Sequence, residues 1–240
     1  MSDTTPFSPP RPGPVRVWDW PTRVVHWSIA LLVPSSWITA NAFDLLAAHM
    51  ALGYITLGLV VFRVLWGLVG SRHARFTSFL KGPAQTMRYA KTLAQRDSVP
   101  SAGHNPLGAV AVLLMLTMLT VQATTGLFAS DELAYFGPWN GAISTEWAET
   151  VNTIHKINGQ LIPWVIVLHL LAISWYAALK GQNLIGPMIT GRKGGDRISQ
   201  ADAIRSDRTF LALVIAALVA GGVWAVVALA PPPPMPDGLF

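Results

Sequence analysis

The stretch HKINGQLIPWVIVLH, residues 155–169, begins and ends with histidine and is otherwise mostly apolar. As a helix, the 14-residue interval between these histidines spans about 21 Å and offsets the two imidazoles by about 40°. His155 and His169 therefore face the same side of one helix, at two different depths. Apolar residues continue beyond His169, so the segment is long enough to cross the ~30 Å hydrocarbon core of a bilayer.

The composition of the whole chain points to the same environment. Of its 240 residues, 52% are hydrophobic and 12% are charged, whereas soluble domains carry about 25% charged residues. So few charges do not cover a water-exposed surface. The chain contains no cysteine, which excludes disulfides, thiolate metal sites, iron–sulfur ligation and covalent heme attachment.

Five segments are predicted to span the membrane, and all should be helices because lipid offers no partner for open backbone groups. They cover residues 24–43, 45–70, 107–130, 150–179 and 210–230. The predicted fold is an all-α integral membrane protein, with a four-helix bundle over residues 16–190 and a fifth, C-terminal transmembrane helix over residues 209–231.

The net charge of +5 does not indicate nucleic-acid binding, because the basic residues lie beside apolar segments as topology signals do. They concentrate before the first span, between the second and third, and in the loop 191–208. The positive-inside rule places these regions in the cytoplasm and, with five spans, the C-terminus outside. Residues 1–15 are predicted to be a disordered cytoplasmic tail rather than a cleavable signal peptide, and residues 232–240 a Pro-rich external tail.

The sequence allows two interpretations for each of three polar regions. The segment Phe76–Gln95 is either an amphipathic helix on the inner membrane face or a basic loop. The external segment Asp131–Glu149, which is acidic and aromatic, is either a docking face for a basic partner or a solvated loop. A third group of cytoplasmic residues is suited to proton transfer, although capping and surface roles are favoured; these residues are Asp19, His73 and His104.

Four histidines lie within predicted spans, where ionisable residues are costly and usually functional. His49 and His155 lie about four and five residues from the outer ends of their helices, at nearly one level. His26 and His169 lie about 26 Å and 28 Å from the outer ends of theirs, so they also match. The pattern predicts two stacked pairs of histidines inside the bundle.

Neutral imidazole is a good axial ligand for heme iron, and two such ligands close both axial positions. Structural zinc prefers four protein ligands, whereas each pair supplies two. Arg23 and Arg63 are candidate partners for heme propionates, since Arg63 is an expensive charge within the second span. Snorkelling to the lipid headgroups is the alternative interpretation for Arg63.

Four stretches of the chain resemble the prokaryotic diheme cytochrome b family of the b-561 type, which includes the b-type cytochrome subunits of nickel–iron hydrogenases. They are VWDWPTRVVHWSIA (17–30), HMALGYITLGLVVFRVLWGLVGSRHARF (49–76), GHNPLGAVAVLLMLTMLTVQATTGLF (103–128) and HKINGQLIPWVIVLHLLAISWYA (155–177). They occur in the right order over about residues 15–190. The interval between the two histidines of the last stretch is itself characteristic of the family.

The resemblance implies two b-type hemes, one ligated by His26 and His169 nearer the cytoplasm and one by His49 and His155 nearer the outside, with Arg63 in the heme environment. It also implies electron exchange between a membrane quinone and an external redox protein, either a c-type cytochrome or an oxidoreductase subunit, in a bacterial inner membrane. The fifth helix departs from the usual four-helix form, so partner identity does not transfer directly.

Two other function classes remain open at the level of sequence. A heme-free transporter could use the four histidines as a proton path, although no pair of spans is broken in the matching way that transporters show. A membrane anchor that docks a redox enzyme is compatible with electron transfer. Detection of bound heme would distinguish a cytochrome from a heme-free transporter.

Overall fold

The computed structural model describes residues 13–93, 101–194 and 198–232 of the chain. These residues are mostly helical, as the sequence predicts. The α-helices are α1 (Trp20–Asn41), α2 (Leu46–Val69), α3 (Phe76–Phe79), α4 (Pro83–Lys91), α5 (Pro106–Gly126), α6 (Thr145–Lys180), α7 (Ile185–Thr190) and α8 (Thr209–Ala228). Short 3-10 turns cover Asn140–Ala142 and Gln200–Asp202, and strand β1 (Val15–Arg16) pairs antiparallel with β2 (Arg192–Lys193).

Within the described residues, four helices are long and apolar enough to cross a bilayer: α2, α5, α6 and α8. The prediction of a multi-pass membrane protein is therefore confirmed at that level. The first predicted span is also a helix, α1, with 22 residues, but it is not among these four. Its first turns carry Thr22, Arg23 and His26, which lower its apolar character.

Several predicted boundaries need correction. The helix that contains the fourth predicted span begins at Thr145 rather than near residue 150, because the Ser144 side chain caps it by accepting a hydrogen bond from the Trp147 amide. The end of the predicted external segment therefore lies inside α6. The third span ends at Gly126 rather than at residue 130, where the chain turns into the connection to α6.

The predicted surface helix over residues 76–95 is two helices, α3 and α4, separated by three residues. Pro83 occupies the first position of α4, where its missing amide hydrogen costs nothing. Residues 94 and 95 lie outside the described residues. So do residues 1–12 of the predicted N-terminal tail and 233–240 of the C-terminal one, whereas Val15 is buried in β1.

Helix α2 is the centre of the bundle and packs against α1, α5 and α8, while α5 packs against α6. The two ends of the bundle differ in the elements that they carry. The turn end carries the α1–α2 connection, residues 42–45, and the sheet end carries β1 and β2. A hydrophobic cluster toward the sheet end joins α1, α2 and α8; its buried members are Val25, Phe62, Trp66, Ala74, Ala212, Ile215 and Val219.

Helix α8 is held to the rest of the bundle at both of its ends. At the sheet end, the Arg208 guanidinium donates a 2.7 Å hydrogen bond to the Val69 carbonyl at the end of α2. At the turn end, the Trp139 indole donates a 2.8 Å bond to the Val226 carbonyl. The C-terminal helix is thus integrated into the described fold through side-chain bonds as well as apolar packing.

Asp19 joins the beginning of α1 to the end of α2. Its carboxylate is fully buried, caps α1 by accepting a 2.7 Å hydrogen bond from the Thr22 amide, and accepts a 3.2 Å bond from the Trp66 indole. The Ser71 hydroxyl also donates to it. The capping role favoured by the sequence is confirmed for Asp19, which aligns the two helices that carry His26 and His49.

Candidate cofactor-binding site

His49 and His155 face each other near the turn end of the bundle. His49 lies in the first turn of α2 and His155 lies ten residues after the start of α6. Their ring centroids are 6.0 Å apart, with the ring planes at 85° to each other. The fold therefore brings together the two histidines that the sequence pairs at this depth.

Both rings are oriented by hydrogen bonds from Nδ1 to a backbone carbonyl on a neighbouring helix. His49 Nδ1 donates to the Ser36 carbonyl of α1 at 2.8 Å, and His155 Nδ1 donates to the Gln122 carbonyl of α5 at 3.1 Å. A proton on Nδ1 leaves Nε2 as the nitrogen that carries a free lone pair. Metal-ligating histidines are commonly oriented in this way, by a bond from the other ring nitrogen.

The separation of the two rings agrees with ligation of one metal from opposite sides. A metal–imidazole bond is about 2 Å long, and a ring nitrogen lies about 1.2 Å from the ring centre, so two such rings have centroids about 6.4 Å apart. The observed centroid distance is 6.0 Å. Two imidazoles at this distance suit a planar macrocycle whose iron takes one ligand on each face.

A cavity of about 440 Å³ surrounds the pair, within the range of small-molecule and cofactor pockets. Helices α1, α2, α5 and α6 and the connection between α5 and α6 contribute to its walls. Gln122 occupies part of it: its Nε2 lies 3.1 Å from His155 Nε2, and its Oε1 accepts a 2.7 Å bond from Asn158. Gln122 therefore occupies the position that a ligand of His155 Nε2 would take, so its side chain must move for a cofactor to bind between the two histidines.

His26 and His169 lie closer to the sheet end, on α1 and α6. The two imidazoles are near enough to interact electrostatically. The His26 ring packs edge-on against Trp27 at a centroid distance of 5.1 Å, and its buried Nδ1 has no hydrogen-bond partner among the described residues. A buried polar atom without a partner costs free energy, so it fits a site that an additional group completes.

Arg63 is buried in α2 with 9% of its surface exposed, rather than extended toward lipid headgroups as the snorkelling interpretation requires. Its Cζ lies 5.3 Å above the centre of the Phe76 ring, a cation–π contact. One terminal nitrogen, Nη1, is buried and has no partner within the described part of the chain.

Arg23 lies one turn before His26, as the sequence indicates, and contacts the sheet end of the fold. Its Nη1 donates a 2.5 Å hydrogen bond to the Ile189 carbonyl of α7. Its Nε is buried, with no partner in the described segments. One guanidinium nitrogen thus holds α7 against α1, while another is available to an acceptor.

The two histidines outside the predicted pairs are packed inside the sheet end, not on the surface. His73 is 8% exposed and donates a 2.7 Å hydrogen bond from Nε2 to the Asp202 carbonyl. The His104 ring lies between Trp18 and Phe79, 4.8 Å from each ring centre. Burial, together with the nearby Arg63, His26, His73 and Lys193, lowers the pKa of His104 to about 3, so the ring is neutral at pH 7.

The connection between α5 and α6 is organised by Asp131 at the turn end. Its carboxylate accepts hydrogen bonds from the amides of Leu133 at 3.0 Å, Ala134 at 2.9 Å and Tyr135 at 2.8 Å. These amides, Tyr135 first, hold the pKa of Asp131 below its usual value. Leu133 is 86% exposed and Trp147 is 64% exposed, so apolar side chains project from this end.

Sequence reasoning did not identify the residues that orient the rings. The Ser36 and Gln122 carbonyls and the Thr125 hydroxyl, 3.1 Å from His155 Nδ1, belong to different helices from the imidazoles they contact. A backbone carbonyl has no residue-type signature, so nothing in the sequence marks these partners. Gln122 and Thr125 are polar residues within an apolar span, which is the one signal that could have indicated them.

The family described as prokaryotic cytochrome b561 matches residues 17–191, which include all four paired histidines. No solved structure matches the chain.

Three relatives share between 22% and 26% sequence identity with this chain. The probable Ni/Fe-hydrogenase B-type cytochrome subunit of Rhizobium leguminosarum bv. viciae is 26% identical over 208 residues, which cover 75% of this chain and 86% of the relative. The protein of the same description from Bradyrhizobium diazoefficiens is 22% identical over 213 residues, covering 75% and 85%. That of Azotobacter chroococcum mcd 1 is 24% identical over 212 residues, covering 74% and 87%.

Proposed function

Because this chain belongs to the prokaryotic cytochrome b561 family, we propose that it carries electrons across the membrane through two b-type hemes, each held by two histidines. The observation that carries the proposal is the His49–His155 pair, whose ring centroids are 6.0 Å apart. When bound, each heme supplies an iron that alternates between the ferric and ferrous states. The chain fixes the axial ligands, the spacing and the polarity around each site.

His49 and His155 are the proposed ligands of the heme at the turn end. The Nδ1 bonds to the Ser36 and Gln122 carbonyls support this role, because they orient each Nε2 and increase its basicity. Two strong-field nitrogen ligands leave no open axial position for oxygen, which suits electron transfer. The cavity around the pair would receive the macrocycle.

His26 and His169 are the proposed ligands of the heme at the sheet end. Their electrostatic interaction and their common location toward the sheet end support the pairing. Arg63 and Arg23 each hold a buried nitrogen without a described partner near these histidines, so both can donate to propionate oxygens. Two sites at opposite ends of one bundle provide a path across the bilayer.

The proposed topology has five spans in a bacterial inner membrane: α1 in addition to α2, α5, α6 and α8. Helix α1 has 22 residues and packs along α2, which supports its membrane location despite its polar first turns. The basic residues at the sheet end support a cytoplasmic location of that end and a periplasmic location of the turn end. Alkaline phosphatase fused after residue 232 should be active, whereas the same enzyme fused after residue 194 should be inactive; the reverse pattern refutes the orientation.

The proposed partners are a membrane quinone at the cytoplasmic side and a redox protein at the periplasmic side. The relatives are named as subunits of Ni/Fe hydrogenases, so a hydrogenase is the leading external partner and a c-type cytochrome the other. The connection before α6 carries Asp131 and Glu132, and the first turns of α6 carry Glu146, Glu149 and exposed Trp147, a combination that suits a basic partner surface. Docking of this enzyme makes the chain both its anchor and its electron relay.

The decisive experiment is a dithionite-reduced minus oxidised spectrum of the protein purified in detergent. We expect a low-spin b-type band with two hemes for each chain, quantified against protein by amino-acid analysis. A folded but colourless protein refutes the proposal and favours a heme-free proton path through the histidines. One heme for each chain refutes the second site only.

A further inference from the structure

Two buried nitrogens toward the sheet end have no hydrogen-bond partner among the described residues: Arg63 Nη1 and His104 Nδ1. Buried donors in native proteins are nearly always hydrogen-bonded, so each exception needs a specific explanation. Here the two exceptions are electrostatically coupled, since Arg63 is among the groups that act on His104. The shared location suggests one ligand for both.

A continuous aromatic wall connects the two side chains. The Arg63 guanidinium lies over Phe76, Phe76 contacts Phe79 at a centroid distance of 5.8 Å, and Phe79 contacts His104 at 4.8 Å. Phe76 packs directly against Gly67 of α2, where a Cβ would clash with the Phe76 ring. The wall therefore gives the two side chains a shared aromatic environment.

The carboxylate of Asp19 does not complete this site. Asp19 acts electrostatically on Arg63, but its oxygens already accept hydrogen bonds from Thr22, Trp66 and Ser71. His104 is neutral, so its ring contributes one N–H donor and not a second cation. One guanidinium charge and one neutral donor match a single carboxylate in charge and in hydrogen-bonding capacity.

We propose that Arg63 and His104 form a donor pair that binds one propionate of the heme nearer the cytoplasm. The inference rests on the proposed function, and it adds His104, a residue outside the four axial ligands, to the binding site of that heme. His104 also interacts with His26, the proposed axial ligand on α1, which puts it beside the same cofactor. The aromatic rings of Trp18 and Phe79 hold the imidazole at the edge of the site.

The pair has a consequence for the redox chemistry of this heme. A hydrogen-bonded propionate presents less negative charge to the iron. The ferric state is then stabilised less, relative to the ferrous state, and the reduction potential of the heme rises. Loss of the His104 donor should therefore lower the potential of one heme. The periplasmic heme, near the other end of the bundle, should keep its potential.

The test compares His104→Phe, which keeps an aromatic ring between Trp18 and Phe79, with His104→Gln, which restores a side-chain N–H donor. His73→Gln is the matched control, since it changes a neighbouring buried histidine outside the proposed pair. Redox titration of the purified diheme protein should show a lower potential for one heme in His104→Phe only. His104→Gln should regain most of the wild-type value.

Reconstitution with esterified heme tests the carboxylate directly. Apoprotein loaded with heme dimethyl ester, which lacks the propionate charges, should retain the cytoplasmic heme about 10- to 100-fold less tightly than heme b, the range expected for a charged hydrogen bond. In His104→Phe, esterification should have a smaller effect than in the wild type, because the substituted chain has already lost one of the two donors.

Equal potentials in His104→Phe and the wild type, or the same effect of esterification in both, overturn the donor pair. A chain that binds no heme overturns the proposed function instead, so the two failures are distinct. If His104→Phe does not fold, the inference still fails when wild-type protein retains the esterified and native hemes equally at both sites.

Discussion

Gly126 on α5 lies directly against the His155 ring: a Cβ at this position would be 3.0 Å from Cε1 of the imidazole. The close approach brings α5 near enough for the Gln122 carbonyl to accept the His155 Nδ1 hydrogen bond. A small residue one turn after Gln122 is therefore part of the geometry that aims His155 at His49.

Substitution of Gly126 should disturb the periplasmic heme selectively. In Gly126→Val the branched side chain must displace the His155 ring, so we expect loss or high-spin conversion of one heme, measured by the reduced spectrum and by electron paramagnetic resonance of the ferric protein. Gly221→Ala on α8 is the control, because a Cβ there meets nothing within 4 Å. An unchanged spectrum in Gly126→Val would contradict the close contact.

Removal of single histidines should separate the two hemes. His49→Ala and His155→Ala should each leave one heme for each chain, and the two variants should have the same residual spectrum and potential. His169→Ala should also leave one heme, but with the other spectrum. The proposed pairing is wrong if His49→Ala resembles His169→Ala rather than His155→Ala.

Helix α8 should form a specific crosslink with α2. A Cβ built at Gly58 lies 3.8 Å from Val219 Cγ1, and the natural chain has no cysteine to compete. The double variant Gly58→Cys/Val219→Cys should therefore form an intrachain disulfide on mild oxidation, seen as a mobility shift that reductant reverses. Gly58→Cys/Gly221→Cys is the matched control and should not crosslink; equal crosslinking in both would indicate a mobile α8.

Asp19 should be required for stability more than for ligation. Replacement by Ala removes the cap of α1, worth about 0.5–2 kcal/mol, and leaves the Trp66 and Ser71 donors unpaired in the interior, at about 1–3 kcal/mol for each buried group. We expect a lower thermal midpoint in detergent for Asp19→Ala. Asp44→Asn, at an exposed position, should leave the midpoint unchanged, and an equal loss in both variants would argue against the buried network.

The Asp131 turn should depend on pH in a definite direction. Amides at residues 133–135 hold the pKa of this carboxylate below its usual value, so its contribution is complete above about pH 4 and is lost as pH falls through the lowered pKa. Hydrogen exchange of those amides, corrected for intrinsic rates, should lose protection only at the acid end. Asp131→Asn cannot ionise and should show no such transition; identical profiles would contradict the carboxylate's role.

The sequence allowed prediction of the apolar segments and of the histidine levels because both depend on helical periodicity and on the cost of polar groups in lipid. His155 and His169 lie on one helix, α6, and their interval follows from residue number alone. Boundaries were less predictable: α6 begins at Thr145 and α5 ends at Gly126, since caps and turns depend on a few local hydrogen bonds.

The sequence by itself determined that this is a multi-span helical protein with two levels of histidine, because hydrophobicity and the helical repeat act along the chain. Only the tertiary structure decided that His49 and His155 face each other, that carbonyls of Ser36 and Gln122 orient them, and that His104 is enclosed by aromatic rings. Those relationships join residues on different helices, and they arise from side-chain packing, which has no periodic signature in the sequence.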